Sequence, residues 1–150
     1  MRKTQTLSKI LKLKKEKKKE LELEVKEMTE KVDAEHSKLY TFEKEYSDTL
    51  ALFDRKNSEK YISAYDITSI YNYLSHISSL VKNQKKTCLK KRDELTSLNN
   101  ILIAAHKEKK MYEKLTDKAN KKELKDKINL EQKETDYISI SRYSLKKHTS

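Results

Sequence analysis

The chain has 150 residues, 39% of them charged, a formal net charge of +11, and no glycine, proline or tryptophan. Tight turns, phosphate loops and strand-ending bends call on glycine and proline, so sandwiches, barrels and doubly wound sheets are disfavoured, as are P-loops and nucleophile elbows. With 35% hydrophobic residues, too little remains for two-layer packing, but a narrow seam between helices needs only two apolar positions in seven.

The first predicted element is a helix over about residues 4–55. Steps of four and three from Leu7 run through Leu11, Leu21, Val32, Leu39, Phe42, Tyr46 and Thr49 to Phe53, and ten of the fourteen positions are apolar or aromatic. Chance would give about five. An excess held over seven heptads predicts a coiled-coil seam where composition alone would also suit disorder. Lys14, Lys18 and Glu35 fall on the seam and weaken it locally.

A bend follows over about 55–64, in the polar stretch Asp54 to Lys60. Asn57 tolerates the left-handed conformation that usually falls to glycine. Ser58 or Ser63 can cap the next helix, and Ser63 with Asp66 three residues on resembles a capping pair.

The second predicted helix covers about 64–138. Its seam runs from Ile67 through Ile70, Leu74, Ile77, Val81, Cys88, Leu95 and Leu102 to Tyr112, with eleven of fourteen positions apolar or aromatic. Folded back antiparallel, Phe53 meets Ile70, Tyr46 meets Ile77, Met28 meets Leu95, Leu21 meets Leu102 and Leu11 meets Tyr112. Glu35 beside Cys88 and Val32 beside Lys91 leave a weak middle, and a register one heptad away pairs fewer apolar residues. The fold class is therefore all-α, one long antiparallel two-helix coiled coil, a helical hairpin whose second helix is the longer. At 1.5 Å per residue the helices measure roughly 75 Å and 110 Å, the second projecting by about 20 residues. The segment 117–136 carries a thin stripe of Leu124, Ile128 and Leu130, and the tail 141–150 has no pattern and is expected to fray.

Eight aromatic residues, Tyr40, Phe42, Tyr46, Phe53, Tyr61, Tyr65, Tyr71 and Tyr73, crowd the bend. Tyr40, Tyr61, Tyr65, Tyr71 and Tyr73 lie off the seam. Tyrosine pairs an apolar body with a polar tip and suits partner surfaces; the plainer alternative is a local plug in the bend. Residues 1–20 hold nine Lys/Arg against two Glu, and Lys82–Arg92 holds six basic residues and no acid. Such runs suit phosphates, acidic lipid or an acidic protein, or are simply solvated faces. A genome drifting towards A/T-rich codons would also inflate lysine. With lysine dominant and only four arginines, base readout finds no support and no nucleic-acid partner is expected.

Cys88 is alone, so an internal disulfide is impossible. His36, His76, His106 and His148 form no metal-ligand spacing, and no cofactor is expected. A solvated helix has no dry pocket to tune an acid–base pair, so no catalysis is expected. No apolar stretch follows the basic N-terminus, and no run approaches a membrane span, which points to the cytoplasm.

Beside the bend stand Leu39-x-x-Phe42-x-x-Glu45-Tyr46-x-x-x-Leu50, then Tyr73-Leu74-x-x-Ile77-x-x-Leu80-Val81-x-x-Gln84, and later Glu131-Gln132-Lys133-x-x-Asp136. This order, over about residues 5–140, resembles the flagellar export protein FliJ family, the stalk of the type III secretion ATPase. The family has L-x-x-Y-x-x-E-Y-x-x-x-L on its first helix, F-I-x-x-L-x-x-A-I-x-x-Q opening its second, and E-Q-K-x-x-D-E near its end. The resemblance implies a non-enzymatic stalk at the cytoplasmic face of the cell membrane. Its open end would sit in the export ATPase ring, and its bend end would touch the membrane export gate and cycle export chaperones. Leu39, Phe42, Tyr46, Tyr73, Ile77, Leu80 and Gln84 would then face the gate. This chain departs with Phe42 for Tyr, Tyr73 for Phe, Leu80 for Ala and Tyr137 for the closing Glu. A related injection-type system, or a basic coil that binds nucleic acid or an acidic partner, are the alternatives.

Overall fold

The structure is a computed structural model that describes residues 2–59 and 63–149. Helix α1 spans Arg2–Ser58 and helix α2 spans Ala64–Thr149, the second the longer. With no glycine or proline to break the ladder, neither helix contains a positive φ or a cis peptide among the described residues. The two pack against each other as an antiparallel hairpin.

The junction shows why each helix stops and starts. Arg55 and Lys56 occupy the last turn of α1, where positive charge opposes the negative end of the helix dipole. The Ser58 hydroxyl donates to the Arg55 carbonyl at 2.8 Å. At the start of α2, the Tyr65 amide donates to Ser63 Oγ at 3.2 Å, and the Ile67 amide donates to the Ser63 carbonyl at 3.2 Å. Ser63 is thus the cap, with Asp66 in the first turn. The predicted bend from residue 55 is narrower in the structure, because Arg55–Ser58 stay helical. Asn57 accordingly takes no left-handed conformation. Lys60, Tyr61 and Ile62 lie outside the described residues.

At the other end α2 continues to Thr149, past the expected end near 138 and through the segment expected to fray. Nothing in 139–149 removes a backbone donor or favours positive φ, so the hydrogen-bond ladder has no reason to stop there.

Contacts divide the chain into two compact units, Glu20–Leu102 and Met1–Lys19 with Ile103–Ser150. In the first, the buried residues are Leu21, Val32, Thr49, Leu74, Ile77 and Cys88, all on the stepped seam positions. Ile77, 1% exposed, is the one large side chain fully enclosed among the described residues. Burying such a side chain contributes about 1.5–3 kcal/mol. Buried Thr49 returns its hydroxyl to the Glu45 carbonyl at 2.8 Å, which satisfies the polar atom inside its own helix.

In the second unit, Thr116 is buried and bonds the Tyr112 carbonyl in the same way, at 2.7 Å. Lys14 Nζ lies 2.7 Å from Glu108 and 5.7 Å from the Tyr112 ring centroid. The Thr4 hydroxyl donates to Glu123 at 2.8 Å. These contacts fall within about a turn of the register that sets Leu11 beside Tyr112, and a slip of one heptad would break them. Beyond Glu123 every side chain through Ile140 is exposed, including Leu124, Ile128, Leu130, Tyr137 and Ile138.

Candidate partner-binding surface

The residues expected to face a partner all lie in the Glu20–Leu102 unit. On α1, Leu39, Phe42 and Tyr46 follow at three and four residues, share one flank and are half-buried. On α2, Tyr73, Ile77, Leu80 and Gln84 recur every turn; Tyr73 is 45% exposed, while Leu80 and Gln84 are half-buried. Ile77 departs from the expectation. It sits in the seam, so it cannot present a surface while the helices are packed. Its seam position already pointed inward, because a heptad core site and a partner-facing site compete for the same side of a helix.

Two residue pairs join the helices here through their side chains. The Tyr73 hydroxyl donates to Glu45 Oε1. That bond, followed by burial, pushes the Tyr73 phenol above its ordinary value, since a donated proton is harder to remove. Gln84 Nε2 donates to the Glu35 carbonyl at 2.9 Å and to its carboxylate at 2.6 Å, and Lys38 Nζ stands 3.6 Å from the other carboxylate oxygen. The Gln84 bond, aided by Lys38 and Lys91, holds the Glu35 carboxyl below its usual range against the opposing effect of burial. The weak middle expected at Glu35 is therefore a satisfied polar layer. Periodicity shows such a position only as a gap in the apolar stripe.

The rings around the bend divide by position. Phe42, Tyr46 and Phe53, on the seam, are half-buried. Off it, Tyr40, Tyr65, Tyr71 and Tyr73 are exposed, Tyr65 by 79%; Tyr61 lies outside the described residues. Tyr40, Tyr65 and Tyr71 offer apolar faces with hydroxyl tips to solvent, whereas Tyr73 exposes part of its ring and turns its hydroxyl to Glu45 of α1. Further along the same unit, a groove of about 820 Å³ runs over Met28, Leu89, Leu98 and Ile101, edged by Glu24, Glu27, Asp93 and Lys86. Sequence periodicity missed it, because Leu89 and Ile101 stand off the seam and read as isolated surface residues.

Among the described residues no group of three His, Cys, Asp or Glu could hold a metal ion, and no helix is long and apolar enough to cross a membrane. What the surface offers is adhesion through rings, hydroxyls and aliphatic floor.

Two long antiparallel helices, sealed by a narrow seam and carrying an aromatic surface beside their junction, define a coiled-coil hairpin protein. The chain matches the family model described as Flagellar FliJ protein over residues 3–148, and it belongs to that family. Membership implies a role in flagellar protein export. No curated protein and no solved structure matches the chain.

Proposed function

We propose that the chain is a non-enzymatic stalk of the flagellar export apparatus that links the export ATPase ring to the membrane export gate and cycles export chaperones. It works in the cytoplasm, peripheral to the membrane. Leu39, Phe42, Tyr46, Tyr73, Leu80 and Gln84 form the gate-facing surface, and Ile77 supports it from the seam. The observation that carries this reading is the exposure of Tyr40, Tyr65, Tyr71 and Tyr73 in one unit. Rings left in water at that density cost solvation that a partner surface recovers. The family match supports the setting.

Co-purification of the full chain with the export ATPase and with the cytoplasmic part of the gate tests the reading. Capture of both is expected, and capture of neither overturns it.

A further inference from the structure

Charge is unevenly placed along this chain. Met1–Lys19 with Ile103–Ser150 holds 22 Lys/Arg and 9 Asp/Glu, whereas Glu20–Leu102 holds 13 and 15. The whole excess of +11 thus resides in one unit, +13 against −2. A codon drift would have spread lysine over both.

Within that unit the lysines of α2 are aligned. Lys107, Lys110, Lys114, Lys118, Lys121 and Lys125 recur at three or four residues, so they share an arc of about 80° and advance about one turn at a time. This arc is opposite Tyr112, Thr116 and Ala119, which face the seam. All six are exposed, and none joins an ion pair among the described residues, in contrast to Lys14 with Glu108 and Lys109 with Glu113 at 3.2 Å. Only Glu113, engaged by Lys109, and Asp117 border the ridge. Ile103, Met111 and Ile128 stand on the same face, 53%, 51% and 53% exposed.

We propose that this outer face of α2, from Ile103 to Ile128, binds the surface of an anionic lipid bilayer. Lysine ammonium groups on flexible stems reach headgroup phosphates, while interleaved aliphatic side chains dip into the acyl boundary. A nucleic-acid backbone would use the charge but has nothing to receive Ile103, Met111 and Ile128. The ridge also lacks the arginine forks and rings that nucleic-acid surfaces favour. The inference does not depend on the stalk reading.

Cosedimentation of the full chain with phosphatidylcholine vesicles, with and without about one-third phosphatidylglycerol, tests it at about 100 mM salt. Binding is expected only to the anionic vesicles and falls as salt rises. Lys110→Glu with Lys118→Glu and Lys121→Glu should weaken it roughly a hundredfold or more, with helicity by circular dichroism unchanged. Lys82→Glu with Lys85→Glu and Lys90→Glu, in the other unit, should leave it within a few-fold. Ile103→Gln with Met111→Gln should weaken vesicle binding several-fold. No binding to anionic vesicles, equal binding to neutral ones, or a ridge variant that binds like the parent overturns the proposal. So does a duplex-DNA band shift at a salt concentration where vesicles are not bound.

Discussion

Gln84 of α2 donates its side-chain amide to Glu35 of α1 twice, at the carbonyl and at the carboxylate, 2.9 Å and 2.6 Å away. A polar pair at a seam position binds only in one alignment, so this layer selects register at some cost in apolar burial. Because the Glu35 carboxyl lies below its ordinary value, its contribution is present above the usual carboxylate pKa and is lost as pH falls through the depressed one. Gln84→Ala should return Glu35 towards the ordinary range. A carbon-13 titration of the Glu35 carboxyl, parent against variant, reads the shift directly.

Ile77 should dominate local stability. Ile77→Ala removes a fully enclosed side chain and is expected to cost about 2–4 kcal/mol in urea unfolding. Leu124→Ala, at a position 59% exposed, should stay within about 0.5 kcal/mol of the parent. Equal effects would mean that the seam is not where the hairpin is held.

His106 makes the second unit sensitive to acid. Its Nδ1 is buried without a hydrogen-bond partner among the described residues. Burial, with Lys18 of α1 and Lys110 and Lys109 of α2, lowers its pKa from 6.5, with only Glu113 opposing. The unfolded chain therefore takes up a proton first as pH falls, and stability declines below about 6.5. His106→Leu should flatten thermal unfolding midpoints between about pH 7 and 5.5. A parent midpoint that does not fall over this interval would contradict this.

The parts of the fold legible from sequence were those set by repetition. Leu21, Val32, Thr49, Leu74, Ile77 and Cys88 are buried because a 3.5-residue stripe can face only one way. Ser63 was legible as one of two candidate caps beside Ser58, because Asp66 follows it at capping distance, and the bond from the Tyr65 amide decides between them. The helical course of 139–149 was not, since it follows from the absence of a stop rather than from a signal. The Glu35–Gln84 layer was visible only as a defect, because a cross-helix bond depends on the reach of two side chains and the register together. Basic residues counted in linear runs pointed to residues 1–20 and 82–92. The ridge from Lys107 to Lys125 emerges only when lysines are placed on a helix face. Ile77 shows the converse limit: a family motif marks a position without saying whether it faces the seam or a partner.

The stalk reading is tested most directly by titrating the cytoplasmic part of the export gate with the parent chain and with Tyr46→Ala plus Tyr73→Ala. The parent should bind, and the double variant should bind at least about tenfold more weakly, as truncated interface tyrosines do, with its helicity intact. A parent that does not bind, or a variant that binds as tightly as the parent, would contradict the assignment of this surface.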